Sequence, residues 1–585
     1  MTQARAEGSQ VDAADPQTVP DVEPAAPVAD PLPASARSSS KPDDTPPRPA
    51  KLLRSAPKVI WLLVLVHGLL VISWSVLTPI YHAPDEPVHV DAAVRLYNGE
   101  GWPVPGKAFL SDDGISAWAG SPYSLPSQPL VERPFYLPQA DAVPRSQRPH
   151  WDQLSERYPL KGRHNNQIQQ MVQHPPLYYA IQAAVLKILP GSSGYRWDVW
   201  VGIMRIVSAL MVTTLPLIAW ATCRALTRSR AAALCAALTP FAIPQLSVIG
   251  GAVNNDNAVT LFSSLCLLGC ACAIKGNRSL RNGIFTGVSL GLALFSKTNA
   301  VVLLPVVLVA YLIGSRALVT TDLLAEKRWV FRGSRVIKPL AMTYALGFVL
   351  GGWWYVFQKI RTGAFQPTVP NFPGGIKLDG RLDFADKVWR LMQIRFWGSA
   401  GWFEVSLPFT MTFVASLVVI LLVGYGLVRS PGWRTRTTIG VLLVPMVAAL
   451  LLVIWQAYRF WQHNGRLLGV QGRYLFVGVV GLAAALGLGV AALPRAIRRW
   501  APLAFVAGAC YLQWQLIMRV IDVWWRPPHG TLRQAWGALS AYAVWQPSFV
   551  RVLFSVTAVA IVAAIITIVV VCVRRDGRRA VALSA

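Results

Sequence analysis

The chain has 585 residues, 54% of them hydrophobic and only 14% charged, with a mean hydropathy of +0.42, a balance that excludes a water-soluble globular enzyme. Its formal charge of +27 would prompt a nucleic-acid reading in a soluble protein. Here 25 bases against three acids fall in alternate segments between apolar runs, where the positive-inside rule explains them without any nucleic acid.

Residues 1–50 hold ten prolines, eight acids, four bases and no aromatic residue. That is too little apolar surface to offset chain entropy, and the segment is read as a disordered cytoplasmic tail. The first apolar run follows this polar stretch and lacks a small-residue cleavage site, so a helix over 59–79 is expected as a retained anchor. Further spans are predicted near 199–222, 231–249, 255–274, 283–297, 299–315, 338–357, 408–428, 438–457, 472–493, 500–518 and 551–573, each close to the length that crosses a bilayer. These make about 12 transmembrane helices, with both termini cytoplasmic and with 80–198, 358–407, 458–471 and 519–550 outside. Segment 80–198 carries ten bases and eleven acids, unlike the basic inner loops, and is expected to fold against the helices as a cap. The apolar stretch 175–190 is short for a span and is read as a helix dipping into or lying on the outer face. The predicted fold is an all-α integral membrane protein in three parts: the tail 1–50, a transmembrane core 51–500 with its large outer loop, and C-terminal helices with a basic cytoplasmic end over 501–585.

Directly after the first span stands Tyr81-His82-Ala83-Pro84-Asp85-Glu86-Pro87-Val88-His89. Proline suits the first turn of a helix, which makes Glu86 the expected N-cap and sets two adjacent carboxylates at the outer membrane surface. Asp85 and Glu86 can there serve as a general base or bind a divalent metal, or simply cap a surface helix; His82 and His89 flank them. His174 opens the 175–190 stretch. Asp256 lies in Asn254-Asn255-Asp256-Asn257 at the outer end of a span, where an acid is either an N-cap or functional. Cations are few on the outer side. Lys297, Arg473, Arg205 and Arg395 suit an anionic lipid head group, with snorkelling to ordinary phospholipid as the plainer role. Trp397, Trp402, Trp461, Trp524 and Trp525 are candidates for stacking on sugars or for an interfacial belt.

Pro84-Asp85-Glu86-Pro87-Val88-His89, His174-Pro175-Pro176-Leu177-Tyr178-Tyr179, Asn254-Asn255-Asp256, Ser296-Lys297 and Gln471-Gly472-Arg473-Tyr474 together resemble the glycosyltransferase type C (GT-C) superfamily. In particular they are similar to a bacterial multi-pass branch whose first outer loop opens with Pro-Asp-Glu-x-x-His. The resemblance covers about residues 59–500. It implies a helix bundle whose first outer loop carries an acidic pair for acceptor activation or metal binding, with Asp85 as the leading base, Glu86 its partner, Asp256 the second acid, and Arg473 and Lys297 on the lipid phosphate. His89, His174, Tyr474, Arg205 and Arg395 complete the expected substrate-binding set.

The function expected is a membrane glycosyltransferase of a bacterial plasma (inner) membrane. It would move a sugar from a polyprenyl-phosphate donor to a glycan, lipid or protein acceptor of the cell envelope, with inversion at the anomeric carbon. No Walker-type loop or Gly-x-Gly-x-x-Gly strand-turn-helix is present, and the donor needs no nucleotide. A divalent cation on Asp85, Glu86 and Asp256 is open, with magnesium, manganese or calcium as candidates. The competing readings are a lipid-linked glycan transporter or flippase, and a non-catalytic envelope-assembly subunit.

Overall fold

The computed structural model describes residues 46–119, 121, 144–157, 168–320, 327–331, 334–367, 375–430 and 432–583. The segment read as a disordered tail lies outside them up to residue 45. The described residues are helical almost throughout; their strands form three two-stranded antiparallel pairs, 316–320 with 327–331, 376–377 with 466–467 and 399–400 with 405–406.

Among the described residues, nine helices are long and apolar enough to cross a membrane, and the pair Arg230–Ala242 and Pro244–Gly250, bent by 62°, makes a tenth if taken as one span. The other two expected spans also form helices, Leu280–Leu294 and Thr298–Gly314. At 1.5 Å per residue the 15 residues of the first reach only about 22 Å, short of a core of about 30 Å. The break between them carries Ser296 and Lys297, so a cation enters the bundle where two short helices end. Leu177–Ile188 has 12 residues, about 18 Å, and packs against the helix Glu86–Tyr97.

In a membrane, helices associate by close packing of small residues. Gly283, Gly287 and Gly291 recur every fourth residue along Leu280–Leu294, and a Cβ at each would press on the backbone of Pro339, on that of Thr343 and on the Leu346 carbonyl. This backbone contact with the span Val336–Thr362 fixes the helix that delivers Lys297.

The four segments expected outside meet at one end. Both terminal nitrogens of Arg361 donate to the Trp102 carbonyl, and strand 376–377 pairs with 466–467. Arg145 and Arg148 donate to the Ser540 and Tyr542 carbonyls, each at 2.9 Å. Of the five tryptophans read as an interfacial belt or as sugar platforms, Trp397, Trp524 and Trp525 are interior. Trp524 and Trp525 are 1% exposed, Trp525 donates to the Leu77 carbonyl at 2.9 Å, and buried Trp397 donates to Ser416 Oγ at 2.8 Å. A bulky ring with one N–H is inexpensive to bury once that donor is satisfied, as it is at Trp397 and Trp525; Trp524 Nε1 has no hydrogen-bond partner among the described residues.

Candidate active site

The turn after the first span decides where its two acids point. Tyr81 and Asp85 adopt left-handed backbone conformations, with φ of 62° and 63°. Asp85 is therefore the N-cap and Glu86 the first helical residue, with Pro87 second; the N-cap falls one residue earlier than expected. The left-handed step sends the two neighbouring carboxylates in different directions.

Glu86 turns inward and is fully buried. Arg205 grips it with two bonds, Nε to Oε1 at 2.8 Å and Nη2 to Oε2 at 2.6 Å, and the backbone N–H groups of Tyr81 and Val253 donate to it at 2.9 and 3.0 Å. Arg205 also donates to the carbonyls of Ser75, Thr78 and Pro79 at 2.7, 2.6 and 2.8 Å. Every strong polar group of the pair is engaged by protein. Glu86 and Arg205, expected among the catalytic and substrate-binding residues, are thus placed as the framework that pins the turn.

Asp85 turns outward, with 21% of its side chain exposed, and accepts a hydrogen bond from Arg473 Nη2. Arg473 also donates from Nη1 to the Pro84 carbonyl at 3.3 Å, while its Nε lies 3.3 Å from Asp256 Oδ2. Lys297 Nζ completes the series 2.8 Å from Asp256 Oδ1. Four charges of alternating sign, from four distant stretches of chain, form one connected row that is buried at Lys297, Asp256 and Arg473. The Tyr474 ring faces both cations, 4.7 Å from Lys297 Nζ and 5.7 Å from Arg473 Cζ. Gly472 precedes Arg473 because a Cβ there would collide with the backbone at Arg395–Phe396. Asp256 opens the helix Asp256–Ile274, and its backbone N–H donates to Asn254 Oδ1 at 2.9 Å.

Around this row lie His89, His174 and Arg395. His89 Nδ1 is 2.9 Å from the Tyr179 hydroxyl and the rings stack at 5.8 Å. Arg395 donates to the Val470 carbonyl at 2.6 Å and lies 3.9 Å over the ring of Phe403, a residue held at φ 75°. Burial, with Arg473 beside it, brings the Arg395 guanidinium down to about 10. Asn254 Nδ2, both amide atoms of Asn255, His174 Nδ1, Arg395 Nε and Glu404 Oε2 are buried without a hydrogen-bond partner among the described residues. Buried polar atoms are nearly always satisfied, so these are available to a bound group; others lie away from the row, at His67, Gln358 and Gln393 among them. Glu404, which also bonds His82 Nε2, was not among the expected site residues. Its only signal in the sequence is an acid following Trp402-Phe403 in an outer segment.

Burial first, then Lys297 and Arg473, pull the His89 and His174 imidazoles well below their ordinary value of 6.5. The folded protein therefore binds these protons less readily than the unfolded chain, and stability is lost as pH falls below about 6.5, by at most about 1.4 kcal/mol per pH unit for each ring. Thermal unfolding in detergent is expected to hold steady from about pH 8 to 7 and to fall toward pH 5. His89→Gln should flatten that fall; an unchanged slope would contradict a buried neutral imidazole.

The expected metal set does not converge. Both Glu86 oxygens are taken by Arg205 and backbone N–H groups, and Asp85 and Asp256 each face Arg473. Among the described residues no three His, Cys, Asp or Glu side chains are grouped to hold a metal ion. Asp85, Glu86 and Asp256 do not fit a divalent cation.

The family described as predicted membrane protein (DUF2142) matches residues 69–482. Three solved structures are similar at low identity. ArnT from Cupriavidus metallidurans bound to undecaprenyl phosphate has a TM-score of 0.43 and 14% identity, over 89% of this chain and 79% of that one. Its apo state gives 0.44 and 13%, over 89% and 78%. The Archaeoglobus fulgidus oligosaccharyltransferase tethered with an acceptor peptide gives 0.32 and 12%, over 79% and 55%. Likeness at this level assigns no role to any residue. None of the curated proteins matches the chain by sequence.

Proposed function

The chain belongs to the DUF2142 family of predicted membrane proteins, and we propose that it is a membrane glycosyltransferase. It moves a sugar from a polyprenyl-phosphate donor to a glycan, lipid or protein acceptor on the outer face of a bacterial inner membrane. The observation that carries this reading is the row Lys297, Asp256, Arg473 and Asp85. Desolvating two acids and two bases is costly where apolar packing would hold helices together as well. A row that ends in a partly exposed carboxylate, with unpartnered polar atoms around it, suits a charged substrate.

In this mechanism Asp85 takes the proton of an acceptor hydroxyl as that oxygen attacks the anomeric carbon of the donor. The bond from that carbon to the phosphate oxygen breaks, and the oxygen keeps the electron pair. Arg473 and Lys297 meet the negative charge that gathers on the departing phosphate monoester, and their pairing with Asp85 and Asp256 holds them in position beforehand. Attack opposite the leaving group inverts the anomeric centre. Tyr474 lies against both cations and offers a ring face to the sugar, the stacked, buried pair His89 and Tyr179 backs the site, and Glu86 and Arg205 hold the turn that aims Asp85.

Protein reconstituted in liposomes and given labelled polyprenyl-phosphate sugars with envelope acceptors is expected to form a glycosidic bond of inverted configuration. Movement of the labelled lipid across the bilayer with no bond formed would replace this reading with a transporter. Neither activity across a full panel of donors would leave an assembly subunit.

A further inference from the structure

Arg395 stands near the end of the helix Arg381–Trp397, against the loop that carries Arg473, where a Cβ on Gly472 would collide with the backbone of Arg395 and Phe396. Its Nη1 donates to the Val470 carbonyl and its guanidinium lies over the Phe403 ring, while Nε is buried without a hydrogen-bond partner among the described residues. The ion pairs of nearby arginines, Arg390 with Asp386 and Arg473 with Asp85 and Asp256, have no counterpart at Arg395 among the described residues. The row beside it is balanced, Lys297 and Arg473 against Asp256 and Asp85. Glu86 is held by Arg205, and Glu404 is turned to His82. Resting on the glycosyltransferase reading above, we infer that Arg395 is the counter-charge of the donor phosphate and restricts the donor to a lipid monophosphate sugar, excluding a lipid diphosphate sugar.

A cation withdrawn from water beside a second guanidinium is costly unless an anion joins it. Burial and Arg473 both act against its charge, and no acid offsets them. Its forked donors match phosphate oxygens. A sugar phosphodiester carries one negative charge, which Arg395 balances. The linkage of a lipid diphosphate sugar carries two, and the second would lie without a partner beside a row that is buried at Lys297, Asp256 and Arg473. The balance also holds through the reaction. When Asp85 takes the acceptor proton, the row gains one positive charge. The bond from the anomeric carbon to the phosphate oxygen breaks with its electron pair on that oxygen, so the phosphate gains one negative charge. The sum at the site is unchanged, and no charge is stranded during transfer.

The test reads binding in the absence of an acceptor. The full chain in detergent is titrated with a farnesyl phosphoryl hexose and with the corresponding farnesyl diphosphoryl hexose, and the two Kd values are measured by calorimetry. The parent is expected to bind the monophosphate roughly tenfold more tightly. Arg395→Gln should weaken monophosphate binding roughly ten- to a hundredfold. Arg395→Lys keeps the charge and should cost no more than about fivefold. Arg390→Gln, on the same helix but paired with Asp386 in the parent, should leave binding unchanged. Asp85→Asn takes one negative charge from the row and should shift the preference roughly tenfold toward the diphosphate. The thermal unfolding of each variant separates lost binding from lost folding. Parental binding by Arg395→Gln, or a parent that binds both donors equally, would overturn the assignment. So would Arg395→Lys as weak as Arg395→Gln, which would make packing on Phe403 the cause. Tighter monophosphate binding on Glu132→Gln with Asp141→Asn, the acids of 122–143 outside the described residues, would give Arg395 a partner within the chain and overturn it as well. An Arg395-dependent preference for the monophosphate in a protein that forms no glycosidic bond would keep the phosphate assignment and refute only the transferase. Transfer from a monophosphate donor that Arg395→Gln leaves intact would refute only the role of Arg395.

Discussion

Asp85→Asn is expected to lower sugar transfer by roughly two to four orders of magnitude, the usual worth of a general base, while thermal stability stays close to that of the parent. The amide is nearly isosteric and still accepts the hydrogen bond that Arg473 donates to this side chain, but it takes no proton from a hydroxyl. Asparagine also tolerates the left-handed backbone at this position, φ 63°, better than other non-glycine residues do. Asp85→Ala would mix lost chemistry with backbone strain and is the poorer test. Arg473 keeps Asp256 beside it, so the buried part of the row persists. Initial rates at saturating donor, with unfolding followed by tryptophan fluorescence, check both halves of the expectation. Turnover at the parental rate would remove Asp85 as the base.

Arg205→Met should give the largest loss of stability, about 3–5 kcal/mol, because it strands a buried carboxylate without its counter-charge. The substitution also takes donors from the carbonyls of Ser75, Thr78 and Pro79, which close the first span. Adding Glu86→Gln to Arg205→Met is expected to return part of the loss, since a neutral amide is far less costly to bury than an ion. A double-mutant cycle on denaturant unfolding in detergent would measure the coupling. If Arg205→Met unfolded like the parent, the framework role of this pair would fail. Because Glu86 and Arg205 hold the turn that aims Asp85, transfer should fall along with stability in this variant, whereas Asp85→Asn separates the two.

The positions of the apolar helices and the identities of the unusual charged residues were legible without coordinates. A lysine in Ser296-Lys297-Thr298 or an arginine in Gly472-Arg473-Tyr474 stands out against an apolar background, and burying such a group needs a reason. Their mutual arrangement was not legible. Arg205 and Arg473 are the same residue type at similar expected depth, yet one spends its donors on Glu86 and three carbonyls while the other joins two acids at the site. Glu404 gave almost no signal, since its place depends on the hairpin 399–406 bringing it to His82. The tryptophans misled for a related reason: an interfacial ring and a buried one have the same composition, and only the packing of Trp524 and Trp525 separates them.

Hydropathy and charge bias determined by themselves that this chain crosses a membrane many times and where its rare acids and bases fall, because transfer free energy is a sum over local residues. Tertiary structure alone decided which carboxylate faces the partly open end of the row and which is buried. That choice rests on one left-handed residue and on partners up to 388 positions away in the chain, and neither a backbone torsion nor a distant counter-charge is a property of local composition.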